Sequence, residues 1–241
     1  MKREELLQVA KPILFNTDMV RAILEGRKTV TRRLPSKKIE DKWLKYDEWV
    51  VAVAPPGSTS LTEKEFYEKY PPYQPGDILY VRETWNISNM WSSGNKVTFI
   101  YRGDKSEEDS AMTISVSDGT FDKYGEMMYE NMPEWRPSIH MPKEAARIFL
   151  KVTDVRVERL RDMTDKDALN EGAQGVRCDH ASLGPYGCTD CMNTGWLEPP
   201  MVEFMQIWDS TIKKSDLDRY GWDVNPWVWV IEFERVIEEQ N

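Results

Sequence analysis

Lys28 and Thr31 stand three residues apart in the octapeptide Gly26-Arg27-Lys28-Thr29-Val30-Thr31-Arg32-Arg33, which sets one amine and two hydroxyls among three guanidiniums. Nearby cations and partial burial both lower a lysine pKa, and a neutral amine is a base. The same run would serve equally as a basic surface turn with its arginines in water. Upstream, Met19, Val20, Ile23 and Leu24 fall on one helical face, with Asn16, Thr17 or Asp18 to cap the start and Gly26 to stop it. Beyond the glycine the chain reads as extended. Alternate residues of a strand share a face, so Thr29, Thr31 and Arg33 would point one way and Lys28, Val30 and Arg32 the other, unless the helix exit twists the strand.

A second group of chemically capable residues lies further on. All three cysteines, Cys178, Cys188 and Cys191, fall within fourteen residues, and His180, one of two histidines, is among them. Thiolates and imidazole in the order Cys-x-His, then Cys-x-x-Cys, suit a tetrahedral Zn2+ held by four protein ligands. Gly184, Pro185, Gly187 and Gly195 supply the turns of such a knuckle. Four ligands leave no open position, so the expected role is structural. A disulfide or buried free thiols are the alternatives. His180 is the weakest ligand, because two donors one residue apart are tight for one metal.

Gly26, Lys28, Thr31 and Arg33 resemble the G-x-K-x-x-(E/T)-x-R signature of the ASCH domain, a relative of the PUA domain. Gly76-Asp77-Ile78-Leu79-Tyr80-Val81-Arg82 resembles that family's second landmark, a G-D-x-L-x-V strand. Small ASCH enzymes that hydrolyse N4-acetylcytidine carry a lysine and a threonine in the first motif and a glutamate on a later helix. Residues 163–171 resemble that helix, with Glu171 in the glutamate's place. The resemblance covers residues 11–33, 75–102, 145–173 and 222–236, and the chain as a whole is similar to the larger ASCH proteins of phages and prophages. It implies Lys28 as base, Thr31 as nucleophile or water-orienting hydroxyl, and Glu171 as proton carrier. Arg33 would hold an oxyanion or phosphate. Arg82, Glu83 and Trp85, at the end of the second landmark, would contact substrate: the tryptophan by stacking a base, the glutamate by accepting from a base edge or from Arg33.

The elements that must position these groups read as short strands with few helices. Strands are expected at 13–15, 78–83, 97–102, 148–159 and 227–233, the second and third forming a hairpin around a turn at 92–95. Helices are expected at 61–70, after Thr164 with Gly172 as stop, and after Pro199 and Pro200. Residues 103–132 are polar and poor in aliphatics and read as a long loop or lid. The expected fold is α+β: a single PUA-like β-barrel over 1–241, helices at its rim, with insertions at about 34–75, 103–140 and 176–198.

The net charge of -9 on 241 residues argues against a protein that coats nucleic acid. Eight Lys and Arg nevertheless cluster between 27 and 45, against Glu40 and Asp41. No apolar run approaches a membrane span, and a cytoplasmic protein of bacterium or phage-infected host is expected. Three functions remain open: hydrolysis of an N4-acyl group from cytidine or a related nucleoside, non-catalytic binding of single-stranded RNA, and RNA cleavage at the same residues.

Overall fold

A computed structural model describes residues 1–53, 60–104, 111–130, 135–178, 188, 191 and 194–237. The chain opens with α1 (Arg3–Val9), β1 (Lys11–Leu14) and α2 (Thr17–Leu24). Asn16 caps α2 by accepting from the Met19 amide at 2.9 Å, and Gly26, at φ +74°, turns the chain out of it. Then follow β2 (Val30–Arg33), α3 (Lys37–Val53) and α4 (Glu63–Lys69), the last opened by a reciprocal cap between Thr62 and Glu65. Four strands come next: β3 (Ile78–Arg82), β4 (Trp85–Trp91), β5 (Lys96–Tyr101) and β6 (Met112–Ser115). The remaining elements are α5 (Asp118–Glu130), β7 (Phe149–Arg159), α6 (Asp165–Asn170), β8 (Val176–Arg177), β9 (Trp196–Glu198), α7 (Pro200–Thr211), α8 (Leu217–Tyr220) and β10 (Trp227–Val236).

The chain is mixed α+β and divides into two compact units, each built from separated segments. The first comprises residues 1–26, 76–151 and 234–241. In it β1 pairs parallel with β3, and β3 antiparallel with the start of β7. β4, β5 and β6 form a separate antiparallel sheet; its hairpin turns at 92–95 as expected, but the strand that returns to β5 is β4 and not β3, which pairs with β1 and β7. The core of this unit gathers Leu6, Trp85, Phe99, Tyr101, Tyr124 and Phe149. Tyr124, on α5, meets the Phe99 ring edge-on at 5.5 Å.

The second unit comprises residues 27–75 and 152–233. Here β2 pairs antiparallel with β10, Thr31 opposite Ile231, and β7 flanks β10 on its other side. Val30, Val228 and Val230 bury one sheet face against Leu160, Phe204, Trp208 and Trp222. An aromatic group of Trp43, Tyr46, Phe66 and Tyr70 joins α3 to α4, and Tyr67 sets α4 edge-on against Trp229 of β10. β8 and β9 make a small ribbon.

None of the sheets closes on itself among the described residues. Nor is any described helix long and apolar enough to cross a membrane. Besides α1, β4 and β6, which the sequence reading did not expect, two helices depart from it. α3 is a full helix although residues 34–75 lack periodicity: Leu44, Trp49 and Val51 are exposed, so its apolar residues circle the axis instead of forming a stripe. α5 stands within the segment expected to be a loop. Its burial comes from Phe121, Tyr124, Met127 and Met128 rather than from aliphatics.

Candidate functional site

Glu171 is set by local chemistry at the end of α6. Thr164 and Asp167 cap the helix reciprocally, the Thr164 amide donating to Asp167 at 2.8 Å and the Asp167 amide to the Thr164 hydroxyl at 3.3 Å. Glu171 is the closing residue, and Gly172, at φ +100°, takes the left-handed turn that follows. The Thr29 amide donates to the Asn170 carbonyl at 2.8 Å, and Lys28 forms an isolated antiparallel bridge with Glu171. The first motif and the helix end are thus stitched together by backbone before any side chain is counted.

The Lys28 amine then closes the joint. Its Nζ donates to Glu171 Oε2 at 2.5 Å, to the Val30 carbonyl at 2.8 Å and to the Glu171 carbonyl at 2.9 Å. The side chains are 0% and 4% exposed. Three oxygens around one Nζ are the complement of an ammonium, which has three N–H bonds to give. Burial pulls the amine below its ordinary pKa; Glu171 opposes that shift, and Arg33 and Arg32 add to it. Burial thus makes the Lys28 proton easier to lose than in water, while the three acceptors around Nζ hold the charged form.

Arg32, which sequence reasoning passed over, is the second cation on this carboxylate. Its guanidinium donates to Glu171 Oε1 at 3.2 Å and lies 3.5 Å from Glu158. Strand alternation was the signal, since it places Arg32 on the face of Val30. Arg33 is half-buried; burial lowers its pKa and the Glu171 charge raises it. Thr31 is 3% exposed, and its hydroxyl makes no hydrogen bond among the described residues. Alternation in β2 puts it with Arg33, on the face away from Arg32. Lys28 and Glu171 are brought together, then, and Thr31, three residues after Lys28, makes no hydrogen bond to either among the described residues.

The expected substrate contacts Arg82, Glu83 and Trp85 belong to the first unit. Arg82 donates to the Ile139 carbonyl. Glu83 is 1% exposed, and both its carboxylate oxygens are taken by Arg147, at 2.8 and 2.9 Å. Burial raises the Glu83 pKa against the pull of that guanidinium. Trp85 is fully buried against Phe99 and offers no ring face on which a base could stack; core packing accounts for it.

The cysteines converge. The sulfurs of Cys178, Cys188 and Cys191 all lie within 4.8 Å of one another, so the three residues form a group that can hold a metal ion. Cys178 and Cys188 are 3.7 Å apart, far from the roughly 2.05 Å of an S–S bond. The Cys191 amide points at the Cys188 sulfur at 3.5 Å, and the Cys178 amide donates to Gly195 at the mouth of the β8–β9 ribbon. Burial and the two neighbouring sulfurs push the Cys178 thiol up to about 12. A bound cation reverses that balance by favouring thiolate. His180 lies outside the described residues. No family model, curated protein or solved structure matches this chain.

Proposed function

We propose that the protein is an amidohydrolase that removes an N4-acyl group from cytidine or a related nucleoside, acting through Lys28, Thr31 and Glu171 on an ASCH-type, PUA-like scaffold. The observation that carries this reading is the buried 2.5 Å contact between the Lys28 amine and the Glu171 carboxylate, residues far apart in the chain. A lysine drawn toward its neutral form beside a carboxylate is a base with a proton store.

Lys28 passes its proton to Glu171 Oε2 and becomes an amine. The amine takes a proton from a water oriented by the Thr31 hydroxyl, and the hydroxide attacks the acyl carbon. Arg33 stabilises the tetrahedral oxyanion. Collapse breaks the C–N4 bond, N4 takes the proton held on Glu171, Lys28 keeps the proton taken from water, and the acid gives its own proton to solvent as it leaves as a carboxylate. Cys178, Cys188 and Cys191, with His180 as the fourth ligand, hold a structural Zn2+ whose role is to fix the ribbon rather than to react.

One observation favours a second reading. Lys28 already gives three hydrogen bonds in a site shut off from water, as a clamp would. The protein would then bind a nucleoside or single-stranded RNA without chemistry. Incubation with N4-acetylcytidine, followed by chromatography, separates the two. Wild type should release cytidine, and Thr31→Val, which replaces an unbonded hydroxyl by a methyl of similar size, should release none while melting like wild type. An absence of cytidine with wild-type protein leaves the binding module as the account. Release by Thr31→Val at the wild-type rate removes Thr31 from the mechanism.

A further inference from the structure

A cavity of about 240 Å³ lies within the second unit and shares no residue with the Lys28, Thr31 and Glu171 set. Its walls include four aromatic rings: Trp43 on α3, Tyr67 on α4, Tyr220 on α8 and Trp227 on β10. The volume lies just under the roughly 300–1,000 Å³ of ordinary ligand pockets, which suits one ring system and its substituents rather than a long chain.

The polar groups in the lining have acceptors to spare. Glu40 is 8% exposed and takes both its hydrogen bonds on Oε2, from Tyr220 at 2.7 Å and Arg219 at 3.2 Å. Its Oε1 has no hydrogen bond among the described residues. Glu63 accepts from two neutral donors, the Tyr67 hydroxyl at 3.1 Å and the Trp227 indole at 3.0 Å, and each oxygen keeps a second lone pair. A ligand that fits must therefore give N–H bonds. It need not be a cation, because two guanidiniums already line the cavity: Arg159 lies 4.1 Å over the Trp227 ring, and Arg219 5.0 Å over Tyr220. An alkylammonium would meet both. A neutral planar ring stacks on the aromatic walls and gives its amine protons to the carboxylates.

We infer that this cavity is a binding site for a planar, amine-bearing heterocycle of the nucleobase kind, its amine donating to Glu40 Oε1 and to Glu63. The site is separate from the hydrolytic one and does not rest on it. α3 and α4, which bring Glu40, Trp43, Glu63 and Tyr67, come from the segment 34–75 that lengthens the chain beyond its resemblance to the small ASCH enzymes.

Isothermal titration of the whole protein with unmodified adenosine, cytidine, uridine and tetramethylammonium tests this. These nucleosides carry no acyl group, so their binding is read apart from any hydrolysis. Adenosine or cytidine should give saturable heat. Uridine, which lacks an exocyclic amine, should bind at least about tenfold more weakly, the order of one lost hydrogen bond to a charged acceptor. Glu40→Gln keeps the shape but replaces one acceptor oxygen by an N–H donor, so it should weaken the amine-bearing ligand by a similar factor. Trp43→Ala, at a half-exposed position, should do the same through lost stacking. The proposal is overturned by the absence of saturable heat from both amine-bearing nucleosides, by equal affinity for uridine, by affinities unchanged in both variants, or by tetramethylammonium as the better ligand.

Discussion

Lys28 and Glu171 meet through both backbone and side chain: an antiparallel bridge joins their main chains, and the lysine amine binds the glutamate's carboxylate and its carbonyl together. Glu171 is also the anion toward which Arg32 and Arg33 are drawn. One carboxylate at a helix end thus fastens the start of β2 and balances several buried cations.

Removing Glu171 should therefore cost more than removing Lys28. Glu171→Gln takes away the carboxylate that the Lys28 amine binds at 2.5 Å and leaves Arg32 beside Glu158, a carboxylate 28% exposed. Lys28→Met leaves Glu171 still paired with Arg32. Breaking a buried pair by deleting one partner costs about 3–5 kcal/mol, and Glu171→Gln is expected within that range. Lys28→Met should fall below it, and the double variant should lose less than the sum of the two. Urea denaturation of the four proteins gives the comparison. Equal and additive losses would mean that the contact carries no coupling.

Much of this joint was legible in the sequence. The Asn16 and Thr164 caps and the stops at Gly26 and Gly172 follow from local rules that tertiary packing did not override, whereas the pairing of Lys28 with Glu171, 143 residues apart, was expected only from the resemblance to the ASCH motifs. The choice between Arg32 and Arg33 also turns on a local rule, strand alternation, but alternation says which face a side chain takes and not what waits there. α3 and α5 were hidden for another reason. Their buried faces are made by aromatic and methionine side chains scattered among charges, and no aliphatic stripe marks them. The same aromatic helix α3 supplies Glu40 and Trp43 to the cavity, so a binding site was concealed together with the element that builds it.

The cysteine group should carry metal as purified. Metal analysis of protein made without added zinc is expected to give about one Zn2+ per chain, and Cys188→Ser, which removes the ligand at the centre of the 3.7 Å and 3.5 Å sulfur contacts, should lower it well below one. Chelation should lower the melting temperature of wild type and leave Cys188→Ser unmoved. Stable wild-type protein with no metal bound would falsify the knuckle.

Stability should fall in alkali. Burial, reinforced by the hydrogen bond to Glu40, pushes the Tyr220 phenol up to about 12, and burial likewise raises Tyr67, Tyr101 and Tyr124. A phenol with a folded pKa above its unfolded value of about 10 holds its proton more tightly when folded, so its contribution is complete below pH 10 and is lost as pH rises toward 12. Tyr220→Phe gives up that contribution at every pH. The stability gap between wild type and variant, read from urea midpoints at pH 9, 10 and 11, should narrow as pH increases. A constant gap would show that Tyr220 does not lose its proton in this window.

Two glycines of the first unit should respond to alanine with opposite signs. A Cβ on Gly103 would sit 2.8 Å from Val20 Cγ1 and 3.2 Å from Glu83 Oε2. Neither neighbour can retreat: Val20 is fully buried on α2, and both Glu83 oxygens are held by Arg147. The Gly103 carbonyl also accepts from Arg21 at 3.2 Å, which resists a backbone shift. Gly103→Ala should thus cost about 1–3 kcal/mol, the usual range for an overpacked core. Gly125 lies inside α5, and a Cβ there would meet only Met90 Cε at 4.0 Å, an ordinary contact. Gly125→Ala should stabilise by about 0.5–1 kcal/mol through the smaller entropy loss of alanine in a helix. If both substitutions stabilise, the Val20–Glu83 wall yields more easily than its hydrogen bonds imply. If Gly125→Ala destabilises, α5 is not held as a helix in solution.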